Sequence, residues 1–312
     1  MTKKILLYIL TSLLFLTAVL FMIPVKQRSF TEYYPKDDSI KESLFQFRAQ
    51  PTKSISYNHN DWHYLSVGQG PKSLLFLHGM GGAYDIWFQQ IAELQDSFHI
   101  ISLTLPSVNS LSEAANGILQ ILQEENIDRV SIIGTSMGGY IAQYFLKEHG
   151  ERLDKVVLGN TFPPNEVFTK QNGGMRKLVP LLPAWIVMST FHNNVSTNVL
   201  PSSENSKLVE AYLSEQYSGL MTKQQFIGRF DIVLEHFEID NNEGNNRAPM
   251  LIIESDNDPL VNKDLRKRLK DLYAPTEIYT FTEKGHFPYL NRPQEYTDIL
   301  LSFLSDSSTQ NN

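Results

Sequence analysis

The chain has no cysteine among its 312 residues. That absence excludes disulfide bonds, thiolate nucleophiles and zinc–thiolate centres together. Charge is sparse at 20% of residues, its formal sum is −7, and lysine and arginine form no cluster. Such a surface does not suit the phosphate backbone of a nucleic acid. There is no His-Glu-x-x-His metal site, no phosphate-binding loop and no dinucleotide-binding glycine fingerprint. Neither metal nor cofactor is therefore expected. The composition is otherwise that of an ordinary folded chain, 42% hydrophobic, and the length suits one large domain or two small ones.

One stretch lacks charge altogether. Ile5 to Ile23 follows Lys3-Lys4 and ends at Pro24. As a helix rising ~1.5 Å per residue it is about 28 Å long, close to the ~30 Å hydrocarbon core of a bilayer. The rival reading is a cleaved signal peptide, whose apolar part is usually about 7–15 residues and ends in a small-x-small site. Leu20-Phe21-Met22-Ile23-Pro24 offers no such site. The expectation is a single-pass anchor that uses the membrane as a partner through residues 5–23. Lys3 and Lys4 before the run are matched by Lys26, Arg28 and Lys36 after it, so the positive-inside rule barely discriminates. The signal-like position at the N-terminus favours a body outside the cytoplasm. Residues 1–29 are taken as this membrane or signal segment, and residues 30–50, rich in polar side chains, as a tether.

Beyond residue 50 the apolar pattern alternates between strand and helix periods. A hairpin is expected where 54–57 and 62–67 flank a polar turn. A short, continuously apolar run follows at 73–77, the kind expected for a strand buried on both faces, and 155–159 is another. Further strands are expected at 99–105, 129–133, 250–254 and 277–281. Helical spacing fills the intervals at 84–94, 111–125, 140–149, 263–273 and 293–304. Strands alternating with helices imply right-handed β-α-β units and a mostly parallel sheet. The rhythm breaks after Asn160, where helical patterns dominate up to residue 246. The expected divisions are a core at 51–160, a helical lid at 161–246, a second part of the core at 247–305 and a disordered tail at 306–312.

Ligands bind outside the C-terminal ends of the strands in such a sheet, so the residues just after each strand matter most. Gly134-Thr135-Ser136-Met137-Gly138 follows 129–133 and precedes a helix. A serine at the apex of a strand–turn–helix reads as a nucleophile elbow. Asp258 follows 250–254, with Asp256 as its rival; either could instead cap the next helix. His286 follows 277–281. Serine needs a base to take its proton, histidine can accept and return it, and a buried carboxylate fixes the imidazole tautomer. The backbone N–H of Met137, and that of Met80 in the loop His78-Gly79-Met80-Gly81-Gly82, are candidate oxyanion donors. His78 before Gly79 is read as ordering this loop.

Together these motifs resemble the α/β-hydrolase fold over residues 50–305, through 78–82, Gly134 to Gly139, Asp258-Pro259-Leu260-Val261 and Gly285-His286-Phe287-Pro288. The resemblance implies an eight-stranded sheet with a lid inserted between strands six and seven. Lid residues Val179, Leu181, Leu182, Trp185, Ile186 and Phe191 could line an acyl or alcohol pocket or simply form the lid core. A further similarity, to maspardin-like members, rests on Asp85-Ile86-Trp87, the segment 101–106 and Leu158-Gly159-Asn160-Thr161-Phe162. With the α/β-hydrolase resemblance, the candidate triad and the apolar run at 5–23, the function expected is that of a membrane-anchored serine hydrolase for a carboxylic ester or thioester, a lipid-like ester among them. The alternatives are a maspardin-like binding protein on the same scaffold, or a triad enzyme with carbon–carbon hydrolase or perhydrolase activity.

Overall fold

The computed structural model describes residues 3–164, 166–239 and 248–305. The tail at 306–312 and part of the segment joining the lid to the second half of the core lie outside the described residues. Helix α1 (Lys3–Met22) is followed by α2 (Phe30–Tyr33) and α3 (Ser39–Arg48). Strands β1 (Lys53–Tyr57), β2 (Asn60–Val67) and β3 (Ser73–Leu77) precede α4 (Phe88–Leu94) and β4 (His99–Thr104). Then come α5 (Leu111–Glu124), β5 (Val130–Thr135), α6 (Met137–His149) and β6 (Leu153–Gly159). Between β6 and β7, in the stretch expected as a lid, lie α7 (Glu166–Leu178), α8 (Ala184–Asn194), α9 (Lys207–Glu215) and α10 (Lys223–Leu234). The chain returns through β7 (Met250–Ser255), α11 (Lys263–Leu272), β8 (Glu277–Phe281), α12 (Pro288–Asn291) and α13 (Pro293–Ser305).

The eight strands form one sheet in the order β1-β2-β4-β3-β5-β6-β7-β8. Pairing is antiparallel at β1/β2 and β2/β4 and parallel from β4 to β8. The expected mostly parallel, eight-stranded α/β architecture is thus the one observed. The central strands explain why. Leu74 to Leu77 on β3 and all of β5 are buried, and each large aliphatic side chain so buried stabilises the fold by roughly 1.5–3 kcal/mol. Helices cover both faces. On α5, Ser110 caps the N-terminus by accepting from Glu113 N–H at 3.1 Å. Leu111, Ala114, Ala115, Ile118, Ile121 and Leu122 form its buried stripe. Gly117 lies beneath Trp62, where a Cβ would stand 1.9 Å from the indole.

The segment expected as a tether is built differently. Asp38 caps α3 through Lys41 N–H, and Phe30, Leu44 and Phe47 are buried in the core cluster that also holds Phe76 and Trp87. Burial of three large apolar side chains makes residues 30–48 part of the folded body. In the lid, Val179 is buried, but Leu181 is 70% exposed and Leu182 38% exposed, so these two leucines do not form lid core. Helix α1 has no buried residue and is long and apolar enough to cross a membrane.

Because Phe30 is fully buried, Phe30→Ala should lower the unfolding free energy by about 3–5 kcal/mol. Denaturant melts of the full chain in detergent micelles measure this. A loss within about 0.5 kcal/mol, as for a surface site, would mean that the segment is only a tether.

Candidate active site

Ser136 stands between β5 and α6 with φ +52° and ψ −119°. Positive φ is strained for a residue with a side chain and costs about 1–3 kcal/mol. The flanking glycines permit the turn. A Cβ on Gly134 would lie 2.4 Å from Gly138 O, and one on Gly138 would lie 2.2 Å from Leu77 O. Ser136 N–H donates to Gly159 O at 2.9 Å. Ser136 O accepts from Thr161 Oγ1 at 2.6 Å and from Tyr140 N–H at 3.0 Å. These bonds hold the strained residue from β6, from the loop after it and from its own helix. Met137 is the first residue of α6, so its N–H has no acceptor within the helix.

His286 and Asp258 meet across the loops that follow β8 and β7. Asp258 Oδ2 accepts from His286 Nδ1 at 2.8 Å, and both residues are buried. The other oxygen, Oδ1, accepts from Leu260 N–H at 2.8 Å and Val261 N–H at 3.1 Å. Burial alone would raise the Asp258 carboxyl. The charge and hydrogen bond of His286, with those from Asn160 and Leu260, hold it below the ordinary carboxylate value. Asp256 points elsewhere, its Oδ1 accepting from Glu283 N–H at 2.8 Å. Of the two aspartates after β7, Asp258 is therefore the one paired with histidine. Among the described residues no hydrogen bond joins His286 to the Ser136 hydroxyl, as is common in ligand-free sites whose contacts tighten on binding. Ser136 is partly open to solvent.

The loop at 78–82 lies against the serine. A Cβ on Gly79 would stand 3.2 Å from Ser136 Cβ and 3.8 Å from its Oγ. His78 is buried and makes two bonds: Nδ1 donates to Gly79 O at 2.6 Å, and Nε2 accepts from Leu105 N–H at 3.0 Å. An accepting Nε2 requires the neutral Nδ1–H tautomer. The Gly79 carbonyl belongs to the same peptide unit as the Met80 N–H. His78 thus polarises the amide in question, as well as ordering the loop. Burial, followed by the positive charge of Arg229, pushes His78 well below its usual value, and the bond to Gly79 only partly offsets this.

Two residues to which the sequence reading gives no role in the site adjoin it. Asn160, after β6, is buried at φ +40°. Its Nδ2 donates to Asp258 Oδ2 at 2.8 Å and to Gly285 O at 3.2 Å. One amide so joins the acid loop to the histidine loop. Arg229, on α10, is 1% exposed. It donates to Met80 O at 2.7 Å, Gly82 O at 2.9 Å and Leu105 O at 3.3 Å. No carboxylate pairs with it among the described residues, and burial pushes it down to about 10. It therefore stays charged at neutral pH behind the 78–82 loop. A cavity of about 370 Å³ lies beside Arg229, lined also by Arg48, Tyr84, Asp85 and Glu215, and neither Ser136 nor His286 contributes to its walls.

This is the architecture of the α/β-hydrolase fold, and the family model described as alpha/beta hydrolase fold matches residues 72–199. Among curated proteins the chain is similar to maspardin of Danio rerio, 23% identical over 78% of this chain and 79% of that protein. It is similar also to the pimeloyl-[acyl-carrier protein] methyl ester esterase of Vibrio vulnificus, 24% identical over 78% of this chain and 98% of that one. Among solved structures, a hydrolase from Pseudomonas aeruginosa superposes with TM-score 0.71 at 18% identity, covering 83% of this chain and all of the other (100%). A membrane phospholipase A superposes with TM-score 0.67 at 19% identity, over 97% of this chain and 98% of its own. At these identities the structural likenesses establish the fold.

Two measurements check the geometry. A histidine held neutral by folding contributes stability that is present above its unfolded value and is lost as pH falls through it. His78→Gln should therefore flatten the loss of stability between about pH 6 and 5, by roughly 1.4 kcal/mol per pH unit, in melts followed across pH. An unchanged slope would place the proton elsewhere. Asn160→Gly keeps the backbone freedom needed at positive φ but removes the bridging amide. It should slow reaction of Ser136 with a fluorophosphonate about tenfold, the equivalent of about 1.4 kcal/mol for one hydrogen bond. Equal labelling rates would deny Asn160 a part in holding Asp258.

Proposed function

We propose that the chain is a membrane-anchored serine hydrolase that cleaves a carboxylic ester or thioester through an acyl-enzyme. The observation that carries this reading is the buried Asp258–His286 hydrogen bond of 2.8 Å. It belongs to the same edge of the sheet as the strained elbow serine. Distant similarity to an esterase supports it.

In this reading Ser136 Oγ attacks the carbonyl carbon while His286 Nε2 takes its proton. Asp258 keeps the imidazole in the Nδ1–H tautomer and stabilises the imidazolium that forms. The carbonyl oxygen becomes an oxyanion that the N–H groups of Met80 and Met137 receive. Helix α6 adds the positive end of its dipole, and one such donor contributes about 2.7–4 kcal/mol in other enzymes. Collapse of the intermediate breaks the bond to the alcohol or thiol, which leaves with the proton from His286. Water, deprotonated by His286, then attacks the acyl-serine and restores the free hydroxyl. The acyl and leaving groups would be chosen by the lid. Helix α1 would hold the enzyme at the membrane with its body outside the cytoplasm.

Ser136→Ala should abolish fluorophosphonate labelling and reduce turnover of a short-chain ester by at least ~10³-fold, with the melting transition kept. Full turnover in that variant sinks the reading. A folded wild-type chain that is never labelled would favour a binding protein on the same scaffold.

A further inference from the structure

We propose that the outer face of the lid next to the end of α1 docks onto the phospholipid bilayer, in the headgroup and upper acyl region. This rests on the reading of α1 as a membrane anchor and goes beyond it, because a simple anchor would leave the body free to tumble on its linker.

The lid is fixed against the end of the span by several contacts. Trp185 Nε1 donates to Leu20 O at 3.1 Å. Tyr33 and Ser218 share a hydroxyl hydrogen bond of 2.7 Å, and Phe30 N–H donates to Glu215 Oε1 at 2.8 Å. Gly219 packs on Gln27 so closely that a Cβ there would stand 2.9 Å from the glutamine side chain. Leu20 belongs to the last turn of α1, so Trp185 sits at the depth where indole rings concentrate at membrane interfaces.

The stretch from α7 to α10 carries five of the nine exposed large apolar side chains found outside α1 among the described residues, Leu182 included. Met175 is 50% exposed, Leu178 60%, Leu181 70% and Leu220 57%. Met175 and Leu178, three residues apart on α7, share a helix face. A contiguous apolar patch on a soluble surface marks a site of contact, and here the nearest apolar phase is the one α1 crosses. Two carbonyls of the turn bearing Leu181 are satisfied from within the protein. Lys223 Nζ donates to Pro180 O at 2.8 Å and to Leu182 O at 2.5 Å. A segment entering lipid must meet this condition, because unpaired carbonyls are costly there. Lys26, Arg28 and Lys177 are exposed on α7 and the linker and would meet anionic headgroups.

The absence of cysteine makes the test direct. A nitroxide on Leu181→Cys, in the full chain reconstituted in phosphatidylcholine–phosphatidylglycerol vesicles, should favour collision with oxygen over a water-soluble nickel chelate. The depth expected is about 5–10 Å below the headgroup boundary. A label on Lys267→Cys of α11 should remain aqueous. Brominated lipid should quench native emission at Trp185, since Trp62 and Trp87 are fully buried, and Trp185→Phe should remove that quenching. An aqueous label at Leu181→Cys with a lipid-exposed one at Leu13→Cys in α1 overturns the docking and leaves the anchor standing. Aqueous labels at both positions overturn both readings.

Discussion

The site turns on one constrained residue. Ser136 is held at positive φ, in a conformation that the chain would leave if it were not locked. The lock is made of backbone approaches with no room for side chains, between Gly134 and Gly138 and between Gly138 and β3, and of hydrogen bonds from β6 and the loop after it. Strain of this kind persists only when the surroundings over-determine it. The surroundings here are the parallel strands β3, β5 and β6. Their packing sets the serine in place, and the loops after β7 and β8 then bring Asp258 and His286 to the same edge.

The second theme is how the lid is joined to this edge. Apolar packing contributes, but polar groups set the register. Arg48 donates to Asp85 at 2.6 Å and to Glu215 at 2.7 Å, and Tyr212 donates to Asp85. Burial alone would lower the Arg48 guanidinium, but the two carboxylates hold it above its ordinary value. This network unites the segment after α1, the core and α9. Arg229 extends it by gripping the carbonyls of Met80 and Gly82 from α10. Buried charges tolerate little displacement, because breaking one contact leaves an uncompensated charge in a poorly polarisable interior. The lid therefore helps set the shape of the 78–82 loop as well as covering the sheet.

Much of this was legible in the residue pattern, for a local reason. Ser136, Asp258 and His286 each come within a few residues of the end of a sheet strand, so the strand pattern marks their position and their identity marks their chemistry. The choice between Asp256 and Asp258 was not local. Two acids two residues apart offer the same chemistry; resemblance through Asp258-Pro259-Leu260-Val261 favoured Asp258, and the fold brings that one to the imidazole. Asn160 carried no chemical signature, and its partners lie 98 and 125 residues away. Arg229 reaches across 149 residues to Met80. Residues 30–48 look like linker because Pro35, Asp37, Asp38 and other polar residues interrupt them, yet Leu44 and Phe47 at helical spacing behind the capping Asp38 were a readable sign of a packed helix. Leu181 and Leu182 were assigned inward because apolar residues usually are, and a turn held by Lys223 sends them outward.

The sequence by itself determined the strand–helix alternation, the elbow, the order of serine, acid and histidine, and the charge-free run at the N-terminus. Each of these is written in neighbouring residues, and periodicity and turn chemistry act over a few positions. Only the tertiary structure decided which aspartate pairs with His286, which amide binds their loops together, which lid cation braces the 78–82 loop and which lid leucines face outward. Those outcomes depend on distances between segments far apart in the chain, and such distances exist only once the sheet has formed and the lid has packed against it.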